Sequence, residues 1–171
     1  TEVHALDGLD LSFPSGSFIV IMGPSGSGKS TLLYLVGGLD WPTSGKILVD
    51  GLEIDAMDEN ALADYRRNKI GFIFQSFNLV ANMTAEANVA FPLRFSGVKK
   101  KKRLERAEDL MMKVGLKERI GHKPTELSGG QQQRVAVARA LVNDPPMILA
   151  DEPTGNLDTS SGQAIMTMLD E

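Results

Sequence analysis

Residues 23–30 (GPSGSGKS) limit the folds open to this 171-residue chain more than any other segment. They fit the phosphate-binding pattern G-x-x-x-x-G-K-[ST] at every fixed position. An apolar, β-branched run at residues 18–22 (FIVIM) precedes the loop and predicts a buried strand. A helical pattern follows from Ser30 and is predicted to end at Gly37 and Gly38. Strand, glycine-rich loop and helix together indicate a phosphate site of the P-loop kind.

The chemistry of this loop follows from its residue types. Glycines let backbone N–H groups crowd around phosphate oxygens, and the start of the following helix adds partial positive charge. The Lys29 ammonium is expected to reach the β- and γ-phosphates of a nucleotide, and the Ser30 hydroxyl to bind Mg²⁺. A chance match is the alternative, which the flanking patterns weaken. The predicted nucleotide-binding residues of the loop are Gly23, Pro24, Ser25, Gly26, Ser27, Gly28, Lys29, Ser30 and Thr31.

The amino-acid composition of the chain excludes several kinds of partner and site. Hydrophobic residues make up 42% of the chain and charged residues 23%, as in ordinary globular domains. The formal net charge of −4 provides no general attraction to nucleic acid, so no nucleic-acid partner is expected. The chain has no cysteine, which excludes disulfides and thiolate metal sites. No apolar run approaches the roughly 18 residues of a membrane span, so any membrane role is expected to act through a partner.

A second glycine-rich segment, residues 127–131 (LSGGQ), precedes another helical pattern. Ser128 is a typical N-cap residue, and helix capping is one interpretation that would explain the serine and one glycine. Capping does not account for Gly129, Gly130 and Gln131 together, and a glycine-rich helix start also suits an anion. Two phosphate-binding loops so far apart in sequence rarely serve one nucleotide within one subunit. A two-fold dimer, with each nucleotide between one chain's P-loop and the partner's second loop, resolves this geometry.

Two adjacent carboxylates, Asp151 and Glu152, follow the apolar run of residues 147–150 (MILA). The run predicts a buried strand, and open α/β sheets bind ligands at the carboxyl ends of their parallel strands. Asp151 is expected to hold Mg²⁺ through water, and Glu152 to orient and deprotonate an attacking water molecule. A polar surface turn is the alternative interpretation of this pair.

These motifs resemble those of the ATP-binding-cassette (ABC) ATPases, and the resemblance spans nearly the whole chain. Residues 127–131 are similar to the family's signature sequence, and residues 147–152 (MILADE) to its Walker B strand. Residues 156–158 (NLD) resemble the family's D-loop, which implies that Asp158 contacts a partner subunit. Gln75 stands where the family has its Q-loop glutamine, which implies contacts with Mg²⁺ and the attacking water and a link to the transporter.

The fold that the resemblance implies is α/β. It consists of a P-loop core with a parallel sheet, an antiparallel β arm near residues 46–55, and a helical lobe that carries the signature. Residues 70–75 (IGFIFQ) are apolar and aromatic and are predicted to form a strand that ends at Gln75. The predicted single ABC domain, residues 1–171, divides into a core of residues 1–76 and 141–171 and a lobe of residues 77–140.

The resemblance also implies a function. Residues 71–79 and 83–89 are similar to the family branch that serves lipoprotein release, macrolide-type export and cell division. ATP hydrolysis would drive a membrane permease from the cytoplasmic face, with two ATP molecules closing a head-to-tail homodimer. The residues implied to contact the partner's nucleotide are Ser128, Gly129, Gly130 and Gln131. Those implied to bind Mg²⁺ are Ser30, Gln75 and Asp151. Those implied to lie where the permease docks are Gln75, Phe77 and Leu79.

The sequence departs from the family pattern at both ends. The family has an aromatic residue well upstream of the P-loop that stacks on adenine, whereas nothing aromatic precedes Phe13. The family also has a switch histidine beyond the D-loop, whereas His4 and His122 both lie before Asp158. The chain is therefore expected to be a fragment of an ABC domain, and to hydrolyse ATP more slowly than a complete domain.

Three other functions fit less of the sequence. A GTPase needs an Asn-Lys-x-Asp guanine motif, and residues 68–71 (NKIG) lack the aspartate. A soluble ABC ATPase of DNA repair or translation usually carries coiled-coil or basic insertions, which are absent here. A nucleotide-gated dimerising module with little turnover is opposed by the presence of Glu152 and favoured by the lack of a switch histidine.

Overall fold

The computed structural model describes residues 4–170. They form two compact units, one ending at Leu62 and the other beginning at Ala63. This boundary falls within the helix Glu59–Lys69. Helices occur together with one parallel and one antiparallel strand pair in the described chain, as the predicted α/β fold requires.

The first unit contains helix α1 (Lys29–Val36), which directly follows the P-loop. Gly28 precedes the helix with φ 87°, and the Gly37 amide donates to the Leu33 carbonyl oxygen (2.8 Å) where the helix ends. Gly38 then adopts positive φ, which α-helical residues do not. The predicted helix and its end at the glycine pair are therefore confirmed.

The predicted antiparallel β arm is also present in the first unit. Strand β1 (Leu48–Val49) pairs with strand β2 (Leu52–Glu53). Asp50 and Gly51 join the strands and both have positive φ, at 51° and 77°. A two-residue turn with this geometry matches the twist of the strands that it connects, which explains the short hairpin.

The strand predicted at residues 18–22 is not formed. The segment is irregular and exposed, with Met22 88% exposed, and it belongs to neither strand pair of the described chain. An apolar, β-branched sequence favours burial, but a strand also needs a neighbour that shares its backbone hydrogen bonds. Within residues 4–62, β1 and β2 pair only with each other, so residues 18–22 have no such neighbour there.

The second unit contains the parallel strand pair. Strand β3 (Ile70–Ile73) pairs with strand β4 (Met147–Ala150), with Ile70 opposite Met147 and Ile73 opposite Ala150. Both strands were predicted from their apolar sequences and are confirmed. Because parallel strands end at the same edge, the residues that follow β3 and β4 lie side by side.

The rest of the second unit is largely helical. Helix α2 (Glu59–Lys69) leads into β3, and the later helices are α3 (Ala85–Ala90), α4 (Lys100–Lys113), α5 (Gly129–Leu141) and α6 (Thr159–Asp170). Helices α3, α4 and α5 enclose one apolar core, which includes Val89, Met111, Val135 and Ala138. A second core joins β3, α5 and α6 and contains Ile73, Val137, Ala140 and Ile165. Helix α5 contributes to both cores, so its position is fixed by packing on two faces.

Candidate nucleotide-binding and catalytic site

The P-loop of the first unit folds around the side chain of Lys29. Lys29 Nζ donates hydrogen bonds to the carbonyl oxygens of Gly23 (2.9 Å) and Pro24 (2.8 Å). The Ser27 amide donates to the same Pro24 oxygen (3.3 Å), which closes a turn within the loop. The loop thereby holds an ammonium group beside the N-terminus of α1, where the helix dipole also favours an anion.

Gly28 occupies a position that only glycine fits. Its φ of 87° lies in the left-handed region, and a Cβ there would come within 2.6 Å of the Ala5 carbonyl oxygen. Side chains rarely adopt this backbone conformation, and the oxygen cannot move without moving the main chain. This fixed glycine of the motif is therefore required by the fold of the loop itself.

The carboxyl edge of β3 and β4 brings Gln75 and Glu152 together. Gln75 Nε2 donates a hydrogen bond to Glu152 Oε2 (2.8 Å), across 77 residues of sequence. The Asp151 amide donates to the Ile73 carbonyl oxygen (2.9 Å), which continues the strand ladder up to the acidic pair. Asn156 Nδ2 donates to the Gln75 carbonyl oxygen (2.9 Å) from the predicted D-loop. The parallel pairing of β3 and β4 thus brings these three segments to one edge of the strand pair.

Glu152 has a strained backbone. Its φ is 44°, a value that residues other than glycine seldom adopt and that is concentrated at functional sites. The Gly155 amide donates to the Glu152 carbonyl oxygen (3.0 Å) and closes the turn. A Cβ at Gly155 would lie 3.1 Å from Gln75 Nε2 and 3.3 Å from Glu152 Oε2, so a larger residue would crowd the pair.

The segment LSGGQ forms a capping box at the start of α5. The Gln131 amide donates to Ser128 Oγ (3.3 Å), and the Ser128 amide donates to Gln131 Oε1 (3.0 Å). Capping therefore accounts for Gln131 as well as Ser128, whereas from the sequence it was expected to explain only the serine and one glycine. Neither contact prevents the exposed N-terminus of α5 from facing an anion.

The two glycines of this segment differ in their surroundings. A Cβ at Gly130 would lie 2.8 Å from Ser161 Oγ, so packing against the start of α6 favours glycine there. A Cβ at Gly129 would meet nothing closer than the Asn156 carbonyl oxygen at 3.7 Å, an ordinary contact. Internal packing therefore does not require glycine at position 129.

Asp158 caps α6. Its Oδ1 accepts hydrogen bonds from the amides of Ser160 (3.1 Å) and Ser161 (3.0 Å), and its Oδ2 accepts from the Ser161 hydroxyl (2.7 Å). The bonds from Ser161 and Ser160 stabilise the carboxylate form and lower the pKa of Asp158. A structural role therefore accompanies the predicted contact with a partner subunit.

Two further residues beside the site lack a motif and were missed by sequence reasoning. Gln133 is fully buried in α5, and its Nε2 donates to the carbonyl oxygen of Pro153 (2.6 Å), the residue after Glu152. Arg139, also in α5, donates to the carbonyl oxygens of Phe77 (2.8 Å) and Asn78. A polar residue within an otherwise buried helical pattern is the only sequence signal for either contact.

Residues 4–170 contain no cluster of three or more His, Cys, Asp or Glu side chains that could hold a metal ion. A cation would therefore need hydroxyl, amide and water ligands besides a carboxylate. The predicted P-loop residues belong to the first unit, whereas Gln75, Asp151, Glu152, the signature and Asp158 belong to the second.

Comparison with known proteins agrees with these motifs. The family profile described as "ABC transporter" matches residues 6–155. An uncharacterised ABC transporter ATP-binding protein of Thermotoga maritima is 53% identical over 98% of this chain and 71% of its own length. The macrolide export ATP-binding/permease protein MacB of Hyphomonas neptunium is 52% identical over the whole chain, which covers 26% of that larger protein.

Solved structures give the same result for the fold. The dimeric, post-hydrolysis structure of the ATP-binding cassette MJ0796 bound to ADP and Pi superposes with a TM-score of 0.90 at 47% identity, covering 96% of this chain and 73% of that chain. A second dimeric structure of MJ0796, described as a bacterial ABC transporter cassette, gives a TM-score of 0.89. With its motifs, its fold and these matches, the chain belongs to the ABC transporter family, as one of the family's ATP-binding domains.

Proposed function

We propose that this chain hydrolyses ATP to drive a membrane transporter, with Glu152 as the catalytic carboxylate. The observation that carries the proposal is the hydrogen bond of 2.8 Å between Gln75 and Glu152, which follow β3 and β4 at the same sheet edge. The chain that contains this pair also has an intact P-loop and belongs to a family of transporter ATPases.

The P-loop supplies the nucleotide-binding part of the proposal. Lys29 Nζ now donates to two loop carbonyl oxygens, both of which are weaker acceptors than a phosphate oxygen. Transfer of the ammonium group to the β- and γ-phosphates would therefore gain charge-assisted hydrogen bonds. The Ser30 and Thr31 hydroxyls and the amides of α1's first turn complete the proposed contacts with phosphate.

Mg²⁺ fits the residues of the site. Mg²⁺ keeps several water molecules and is usually held by one or two carboxylates with substrate phosphates, so a cluster of acidic side chains is not needed. Asp151, Ser30 and Gln75 are the proposed ligands, partly through water, and all three offer oxygen atoms. The bound ion would neutralise phosphate charge during hydrolysis.

Glu152 would take a proton from the attacking water. Its Oε2 accepts from Gln75 Nε2, which fixes the carboxylate and leaves Oε1 as an acceptor for that water. Gln75 itself is exposed and can exchange this contact for one with water or substrate. In this pair Glu152 would act as the base, and the Gln75 side chain would change its hydrogen-bond partner when water or substrate enters the site.

A head-to-tail homodimer is proposed for the ATP-bound state. In it Ser128, Gly129, Gly130 and Gln131 of one subunit contact the nucleotide on the partner's P-loop, and Asp158 contacts the partner. The space at Gly129 supports this arrangement, since packing within the chain does not require glycine there. Both solved MJ0796 structures named above are dimeric.

A membrane permease is the proposed partner beyond the dimer, with the chain on the cytoplasmic face. No helix among residues 4–170 has the length and apolar character to span a membrane. The surface near Gln75, Phe77 and Leu79 is the proposed docking site. Leu79 packs partly on the helical core, whereas Val80 beside it is 36% exposed. The predicted division into a core of residues 1–76 and 141–171 and a lobe of residues 77–140 is part of this proposal.

Replacing Glu152 tests the proposal. Glu152→Gln keeps the shape and loses the base, so we expect ATP affinity by calorimetry to stay within about threefold and turnover to fall at least about a hundredfold. Glu105→Gln, which changes an exposed glutamate of α4, is the matched control and should retain wild-type turnover. Undiminished turnover of Glu152→Gln would contradict the proposal. ATP-dependent dimers without turnover in the wild-type protein would favour a nucleotide-gated module instead.

A further inference from the structure

The turn that follows Gln75 has an unfavourable backbone. Phe77 and Asn78 are consecutive residues with φ 60° and 49°, in the left-handed region. Asparagine tolerates this region, but phenylalanine rarely adopts it. Such a conformation persists only where neighbouring groups hold it.

The side chain of Arg139 provides that support. Its Nη2 donates to the Phe77 carbonyl oxygen (2.8 Å) and its Nη1 to the Asn78 carbonyl oxygen, so the two left-handed residues share one guanidinium. Arg139 is half-buried, and burial lowers its pKa. A guanidinium remains charged even so, and its rigid fork places two donors at a fixed spacing, which a lysine does not.

The contact lies close to the catalytic pair. The Phe77 amide donates to the Phe74 carbonyl oxygen (3.1 Å), so the turn is continuous with the end of β3. Gln75 lies within this turn. Its side chain donates a hydrogen bond to Glu152, and its carbonyl oxygen accepts one from Asn156. A change in the path of residues 77 and 78 would therefore displace the Gln75 amide from Glu152.

We propose that Arg139 is a positioning residue for hydrolysis, which holds the Phe77–Asn78 turn and thereby sets the Gln75 amide against Glu152. The inference rests on the proposed function of Glu152. Arg139 lies on α5, the helix that begins at the signature and is packed between both cores of the second unit. Through Arg139, the orientation of Gln75 depends on the position of the signature helix.

The first test is Arg139→Lys, which keeps the charge and loses the two-pronged geometry. We expect kcat for ATP hydrolysis to fall about tenfold while KM for ATP changes less than about twofold, since the P-loop residues are unaltered. Arg134→Lys is the matched control, because Arg134 is also in α5 and also donates to carbonyl oxygens, at Gly130 and Val114 (both 3.4 Å). Its kcat should stay within about twofold of wild type. Wild-type kcat in Arg139→Lys would overturn the inference.

A double-mutant cycle separates positioning from general stabilisation. If Arg139 acts through Gln75, then Arg139→Lys should change kcat less than about twofold in a Gln75→Ala background. An equal loss in both backgrounds would show that Arg139 serves stability alone. Adding Asn78→Gly to Arg139→Lys should recover part of kcat, because glycine adopts positive φ without strain.

A second variant covers misfolding of Arg139→Lys, and the Glu152→Gln result distinguishes failure of this inference from failure of the proposed function. Should Arg139→Lys fail to fold, Arg139→Gln removes the half-buried charge, keeps one amide donor and enters the same cycle with the same expected results. Inactive Glu152→Gln together with fully active Arg139→Lys would overturn this inference and leave the proposed function intact. Active Glu152→Gln would instead overturn the proposed function.

Discussion

Glu152, Phe77 and Asn78 account for three of the five residues other than glycine that have positive φ within residues 4–170. All three lie beside Gln75 in the turns that follow β3 and β4. Each such residue that is not asparagine costs on the order of 1 kcal/mol or more, so other contacts must offset the strain. Hydrogen bonds from Arg139 and from Gly155 do so at this edge.

Asp158 gives a prediction at the residue scale. Its pKa is lowered in the folded protein by hydrogen bonds from Ser161 and Ser160, so the carboxylate form stabilises the fold. This contribution is complete above the ordinary carboxyl pKa of 3.8 and is lost as pH falls through the lowered value. Asp158→Asn should therefore unfold at a lower urea concentration than wild type at pH 7, and the difference should shrink in strong acid. A difference in midpoint that does not change with pH would contradict this explanation.

Helix α5 is the element that connects the parts of the second unit. It contributes to two apolar cores and begins with the capping box of Ser128 and Gln131. Gln133 donates to the Pro153 carbonyl oxygen, next to Glu152, and Arg139 to the turn after Gln75. The Gln133 Oε1 atom is buried with no hydrogen-bond partner among the described residues. A displacement of α5 would therefore either carry these turns with it or break the hydrogen bonds that join them.

The glycines at the start of α5 give a prediction at the element scale. Gly129→Ala adds a Cβ into ordinary contacts and improves helix propensity, so its melting temperature should equal or exceed that of wild type. The affinity of its ATP-dependent dimerisation should nevertheless fall at least about tenfold, because the Cβ would obstruct the partner's nucleotide. Gly130→Ala is the comparison and should lose stability against Ser161 Oγ. Normal dimerisation by Gly129→Ala would show that the signature does not approach a ligand.

Across the whole molecule, the elements predicted correctly from residue patterns are those that depend mainly on neighbouring residues in the sequence. The P-loop helix, β3 and β4 follow from patterns within a few adjacent residues, whereas the β arm was implied by the family resemblance. The strand at residues 18–22 was predicted wrongly, because its formation depends on a neighbour that no local pattern reveals. Gln75 and Glu152 were each recognised from a motif, although their hydrogen bond to each other was not predicted. The Arg139 contact joins residues about 60 positions apart without any motif.

ATP-dependent dimerisation of the Glu152→Gln protein, measured by light scattering, tests the central claim most directly. If Glu152 is the base and two chains enclose two nucleotides, Mg-ATP should convert the protein to a stable species of twice the monomer mass, and ADP should not. Adding Lys29→Ala should abolish the effect, because no other cation of the P-loop can replace its contact with phosphate. A mass that is unchanged by Mg-ATP, or a dimer that forms equally without nucleotide, would contradict the account.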